Sequence, residues 1–385
     1  MTKSNGQENC KLPDSRLTKL ANVLVHYSAD IVAGDLVRLV GSPLTEPLLL
    51  ELYRACLEAG AHPYILMQPD ACGEMLFDFG SDEQIGYQSP IVQHEIETID
   101  VTISLWGSSN TKALSRFGPD KLAKKSQARK RYMETFLGRS ASGDLRWTGS
   151  QFPCQASAQD AEMSLRQYED FVFHAGLLHL DDPVAAWKEL SIRQQRLADY
   201  LNGKSEIRFV TPQGTDLTLG VHDRLWLNSD GKKNFPDGEV FTGPVETATE
   251  GIVKYSFPAV HGGRESDGIE LTFEGGRVID AKASKGEQFL IDMLDQDAGA
   301  RVLGEIAIGT NYSITEYTKN TLFDEKIGGT FHAAVGASYP ETGGLNESGL
   351  HCDMVCDLRQ GGQIFVDGEL ISENGIFLND LWPKP

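Results

Sequence analysis

Between Leu36 and Met67 the chain passes through an apolar strand, a capped helix, a glycine stop and a second apolar strand, an order that few folds accommodate. Leu36-Val37-Arg38-Leu39-Val40 follows a Gly34-Asp35 turn. A helix beginning near Thr45 and Glu46 then carries Leu50, Leu52, Tyr53, Ala55, Cys56 and Leu57 to a stop at Gly60, and His62 to Met67 is extended again. Strand, helix and strand within about 30 residues make a βαβ unit, which requires parallel pairing. Upstream, Leu17, Leu20, Ala21, Leu24 and Val25 have helical spacing, and downstream Asp100 to Leu105 is another extended run. Residues 1–204 are therefore predicted to form an open α/β domain with parallel strands. A long helix closes it, with Asp182 as N-cap, Pro183 at the first helical position and an end near Asn202-Gly203, and is expected to connect the two halves. The basic stretch from Asp120 to Arg131, with Lys124, Lys125, Arg129, Lys130 and Arg131 at helical spacings, reads as a solvated helix face rather than an anion site.

Past Lys204 the texture changes. Ile207 to Val210, Asp216 to Val221, Gly238 to Thr242, Ile269 to Phe273 and Arg277 to Ala281 are short β-like runs separated by Pro-Gln-Gly, Pro-Asp-Gly and Glu-Gly-Gly turns. One strong helix, Lys285 to Asp295, interrupts them. Residues 205–385 are predicted to be a sheet-rich α+β domain, and most of the chemically informative residues lie in it.

Composition narrows the function. The 385 residues carry 35 Lys+Arg against 55 Asp+Glu, a formal net charge of −20, which disfavours binding to nucleic acid or to an anionic membrane surface. Apolar residues at 40% supply enough burial to offset chain entropy, so disorder is excluded. Cys10, Cys56, Cys72, Cys154, Cys352 and Cys356 include no CxxC pair, which points to a reducing compartment. The polar opening has no apolar core for a secretory leader, and no run of about 18 apolar residues occurs, so a cytoplasmic protein is expected.

Familiar catalytic motifs are mostly absent. His94-Glu95 begins like HExxH, but Thr98 stands where the second histidine belongs, and there is no GxGxxG, GxxxxGK[ST] or GxSxG. The strongest local signal is His351-Cys352-Asp353-Met354-Val355-Cys356-Asp357-Leu358. Read as a strand, it sets His351 and Asp353 side by side on one face, and Cys352, Met354, Cys356 and Leu358 on an apolar opposite face. Upstream, His332 lies in a Gly-flanked apolar run, with Tyr339 and Glu341 in the turn-rich loop that follows. Glu305 stands in an apolar strand between Gly304 and Gly309, and Glu239 follows a Pro-Asp-Gly turn. A charge in an apolar run is costly to bury unless it is paired or bound to a cation. Two such carboxylates, two histidines and an aspartate are what a dinuclear metal centre needs. Taken singly, each residue has an ordinary alternative: an exposed hairpin position for Glu239, a satisfied core histidine for His332, a packing residue for Tyr339.

The run FPDGEVFTGP, then LGEIAIGTN, then FDEKIGGTFHAAVGASYPETGG, then HCDMV resembles the catalytic domain of the aminopeptidase T and aminopeptidase S family of metallo-aminopeptidases. The match runs from Phe235 to Val355, and TPQGTDLTLGV at Thr211 to Val221 extends it; the first half resembles the family only in layout. The resemblance implies two divalent ions held by Glu239, Glu305, His332, His351 and Asp353, with Tyr339 beside them. It also implies a peptide substrate with a free N-terminus, Glu305 as bridging ligand with a share of the base role, Tyr339 as oxyanion donor, and a homodimer. Glu341 and Asp216 are candidates for binding the substrate amine. Cys352 stands where the family is expected to carry an aromatic residue; projecting to the opposite face, it bears on packing rather than on ligation. An oxygen and nitrogen donor set without thiolate permits zinc, cobalt, manganese or magnesium. Two other readings stay open: a metal-binding or ligand-binding protein on the same scaffold without turnover, and a different dinuclear hydrolase.

Overall fold

The computed structural model describes residues 14–382. The polar opening that was expected to carry no leader, with Cys10, lies outside the described residues.

The βαβ unit forms as predicted, from strand Leu36–Gly41, helix Glu46–Glu58 and strand His62–Met67. It seeds a five-stranded parallel sheet in the order His62–Met67, Leu36–Gly41, Val101–Trp106, Arg146–Gln151, Asn234–Phe235. Leu39 pairs with Ile65 on one side and Ile103 on the other. Leu48, Leu49, Leu52, Ala55 and Cys56 give the helix one buried face. The sequence reading does not identify the strand Arg146–Gln151, because its polar residues carry no period-two apolar pattern. Asn234–Phe235 comes from the second half of the chain and completes the edge of the parallel sheet.

The second half stacks two antiparallel sheets. One has eight strands, with Glu206–Val210 and Asp216–Gly220 at its centre. The other has five, in the order His351–Asp357, Thr330–Gly336, Leu303–Gly309, Glu239–Thr242, Leu227–Ser229. Ile207, Phe209, Leu217 and Leu219 of the first sheet share a core with Ile306, Ile308, Phe331, Ala333, Cys352, Met354 and Cys356 of the second, and the Phe209 and Phe331 rings stack at 4.1 Å. The mixed α/β and α+β architecture of the sequence reading is thus the fold.

The helix Pro183–Leu201 joins the halves. Asp182 caps it by accepting the Ala185 N–H at 2.9 Å. Its start buries Trp187 in the core of the first half, and its end buries Leu197, Ala198 and Leu201 in that of the second. The first core also takes in Phe235, Ile314, Leu322, Phe323 and Ile327, so second-half residues complete it. Trp187 sits at this seam, its ring 5.0 Å from that of Phe235 and its Nε1–H donated to the Gly176 carbonyl at 2.9 Å. Among the described residues no helix is long and apolar enough to cross a membrane. Replacing fully buried Trp187 by alanine should cost about 3 to 5 kcal/mol of unfolding free energy, checked by urea denaturation.

Candidate metal centre

Strand alternation builds the site. On the five-stranded sheet Ile306, Ile308, Phe331, Ala333, Cys352, Met354 and Cys356 face the core, so Glu305, Ala307, His332, Ala334, His351 and Asp353 face the other way. Ala334 pairs with Asp353 on one side and with Glu305 on the other. The small side chain leaves room for the two carboxylates to lean together, with His332 and Glu239 alongside. A register shift between Leu303 and Glu305 aims the glutamate, and Gly304 permits it: a Cβ there would lie 2.1 Å from the Ala337 carbonyl oxygen.

All six residues predicted for the site meet. Glu239, Glu305 and His332 bring one ligand atom each within 4.8 Å of one another, as do Glu305, His351 and Asp353. Glu305 belongs to both trios. His332 Nε2 lies 3.7 Å from Glu239, 3.6 Å from Glu305 and 3.9 Å from Asp353, and His351 Nε2 lies 3.3 Å from both Glu305 and Asp353. Each Nδ1 meets a backbone carbonyl: Glu325 at 3.0 Å for His332, Ala337 at 2.9 Å for His351. Donation there fixes the ring and turns Nε2 toward the carboxylates. The Tyr339 ring stands edge-on to Phe241 and to His351, both at 5.4 Å. Desolvation by the surrounding protein, then the charges of Glu305 and Asp353, push its phenol well above the ordinary value although 39% of the residue is exposed, so it keeps its proton.

Without a cation the site is protonated. Burial opposes the imidazolium form, but Glu305, Glu239 and Asp353 outweigh it and push His332 up to about 10, while Asp353 and Glu305 push His351 up to about 12. Burial pushes Glu239 up to about 8. Glu239 Oε2 and Asp353 Oδ1 are buried without a hydrogen bond, an arrangement that is costly unless a cation takes the lone pairs. The oxygen and nitrogen donors fit a divalent ion. Cys352 and Cys356 lie in the core and take no part, and burial pushes their thiols up to about 12 and about 11.

The sequence reading missed Lys326 and Glu325. Lys326 is fully buried, its Nζ 3.2 Å from Glu239 and 3.6 Å from Asp237, and it is also paired with Glu325. Burial opposes its charge, but these three carboxylates outweigh it and raise Lys326 well above the usual lysine range. Glu325 forms a further trio with His332 and Asp353. In sequence Asp324-Glu325-Lys326 is an ordinary mixed-charge turn, and only tertiary burial distinguishes it. Of the two candidates for the amine, Asp216 is held bidentately by Arg208 at 2.7 Å on the eight-stranded sheet, which carries none of the ligands, so it is removed. Glu341 is exposed in the short turn Pro340–Thr342 and joins no ligand trio among the described residues.

Residues 13–377 match the family of thermophilic metalloproteases designated M29. Aminopeptidase 2 of Geobacillus stearothermophilus is 28% identical over 381 residues, covering 89% of this chain and 92% of its own. Aminopeptidase T of Thermus aquaticus is 30% identical over 68% of this chain and 71% of its own. Among solved structures, the wild-type AmpT from Thermus thermophilus superposes with a TM-score of 0.82 at 24% identity, over 95% of this chain and 99% of that one. A 2,5-dihydroxypyridine dioxygenase from Pseudomonas putida superposes with a TM-score of 0.57 at 13% identity, over 94% and 97%. These structural likenesses are of fold, and a fold shared with a dioxygenase chooses no chemistry by itself.

Lys326→Met tests the buried charge pairing. It should destabilise the metal-free protein by about 3 to 5 kcal/mol, because it strands buried carboxylates. Saturating divalent metal should recover part of that loss, as read by thermal unfolding with and without metal.

Proposed function

The chain belongs to the M29 family of thermophilic metalloproteases, and from that premise we infer that it is a metal-dependent aminopeptidase, releasing N-terminal residues from peptides with two divalent ions in the cluster around Glu305. The carrying observation is the pair of trios that share Glu305. Asp237, Glu239, Glu305, Glu325 and Asp353 surround the single ammonium of Lys326, an excess of carboxylates that favours bound cations.

A peptide amide is a poor electrophile and water a poor nucleophile at neutral pH. When bound, the ions would supply Lewis acidity, lowering the pKa of water and polarising the scissile carbonyl. Glu239 and His332 would hold one ion, His351 and Asp353 the other, and Glu305 would bridge them. The backbone carbonyls of Glu325 and Ala337 keep both imidazoles in the tautomer that presents Nε2. Glu305, beside its bridging role, would take a share of the base role, receiving a proton from the attacking water and passing it to the leaving amine. Tyr339, protonated and beside His351, would donate a hydrogen bond to the oxyanion of the tetrahedral intermediate. Zinc, cobalt, manganese and magnesium all suit the donors. The cytoplasmic setting and the homodimer belong to the same proposal; the five described cysteines are all free thiols, which agrees with a reducing compartment.

Metal-loaded protein should release residues stepwise from the N-terminus of short peptides, and a chelator should abolish this. Glu305→Gln should lower kcat by about 10²- to 10⁴-fold, and Tyr339→Phe by about 10²-fold with little change in KM. Full turnover in Glu305→Gln would remove the role assigned to that residue.

A further inference from the structure

The carboxyl ends of the parallel strands open into a cleft of about 1160 Å³. Gly41 and Ser42 at the end of the first strand, Gln68 after the second, Gly107 after the third and Gln151 of the fourth line it, the position at which open α/β sheets receive ligands. Its far wall comes from the second half of the chain: Val260, Gly263 and the segment Thr318 to Thr321. Val260, Lys319 and Thr321 also line a smaller cavity whose other walls include Glu325 and Asp353. The cleft therefore adjoins the candidate metal centre through these three residues. Lys319 takes a left-handed backbone conformation at this neck, with φ of 61°.

The charge of the cleft runs against that of the protein. Arg38, Lys112, Lys125, Arg129 and Lys319 line it, against Asp70, Glu95 and Asp160. Most of these charges are matched: Arg38 with Glu95 at 2.7 Å, Lys112 with Asp160 at 3.0 Å, Lys319 with Glu162 at 3.2 Å, while Asp70 accepts the Ser109 N–H at 3.0 Å. Lys125 and Arg129 differ. Their neighbours Lys124 and Lys130 are paired with Asp82 and Glu134, whereas Lys125 and Arg129 make no ion pair among the described residues. Arg129 lies over the Tyr132 ring, 5.4 Å from its centroid, and the Tyr132 hydroxyl accepts from Arg38 at 2.9 Å, which fixes the platform beneath the guanidinium. The sequence reading of a solvated basic helix face is thus incomplete, since two of its cations turn into the cleft.

In a chain of net charge −20, two unmatched cations in a cleft that adjoins the candidate metal centre call for an anionic ligand group. We propose that Lys125 and Arg129 bind the C-terminal α-carboxylate of a short peptide whose N-terminal end reaches the metal centre, so that the substrates are oligopeptides with a free carboxyl terminus. A guanidinium and an ammonium on the wall of one cleft offer the donors that a carboxylate's fork of acceptors takes. This rests on the aminopeptidase reading and adds a recognition site for the opposite end of the substrate.

The test uses metal-loaded full-length protein and short peptides of increasing length, each as the free acid, as the C-terminal amide, and as an amide ending in glutamate. For peptides long enough to span the cleft, the free acid should be favoured over its amide about ten-fold in kcat/KM, through KM. In the Lys125→Gln, Arg129→Gln double variant that ratio should fall to about one, and as a ratio within one protein it is insensitive to partial unfolding. A wild-type ratio near one at every length, or a ratio that survives the double substitution, overturns the proposal. An amide ending in glutamate that matches the free acid also overturns it, because the site would then read a side-chain carboxylate. Failure to hydrolyse every peptide and an amino-acid anilide would instead contradict the aminopeptidase reading.

Discussion

Buried Glu239 and Glu305 stand against half-buried Glu325 and Asp353, and carboxylates cannot be desolvated side by side unless positive charge is buried with them. The protein supplies one fixed positive charge, the Lys326 ammonium, and two adjustable ones, His332 and His351. Lys326 serves the side of the cluster nearest Asp237 and Glu239, which leaves the Glu305 and Asp353 side to the imidazoles or to a cation. Divalent ions and the imidazole protons would thus answer the same electrostatic demand, so metal binding at this cluster would release protons.

Everything around the cluster serves to hold that charge in place. The five-stranded sheet packs its other face against the eight-stranded sheet, and strand alternation converts that packing into fixed directions for the candidate ligands. The bulge at Gly304, the alanines between the ligands and the backbone carbonyls behind each imidazole then set the fine geometry. The parallel sheet of the first half adds no ligand. It contributes the cleft, and the seam around Trp187 and Phe235 fixes that cleft against the half that carries the candidate metal centre.

The sequence was most legible where one residue departs from its local pattern. Glu305 is a charge in an apolar strand, and His351 and Asp353 are alternate residues of a strand with an apolar reverse face, so period and burial cost singled these residues out, and the family resemblance joined them to Glu239 and His332 as candidate ligands. Lys326 and Glu325 carried no such signal, because charged residues in a turn are ordinary and only the fold buries them. Lys125 and Arg129 stay on a solvated helix face, as their spacing implies, and that this face lines a cleft shows only once the opposite wall, built from residues more than a hundred positions away, is in place. Arg146–Gln151 and Asn234–Phe235 escaped for the opposite reason: one is polar and the other very short, and their sheet neighbours rather than their own residues make them strands.

The central claim is that the cluster holds two divalent ions bridged by Glu305. Anomalous diffraction from crystals grown with cobalt or zinc tests it most directly, because it locates the ions without reference to activity. The account predicts two peaks, one bounded by Glu239, Glu305 and His332 and the other by Glu305, His351 and Asp353. A single peak, or peaks away from Glu305, would contradict it.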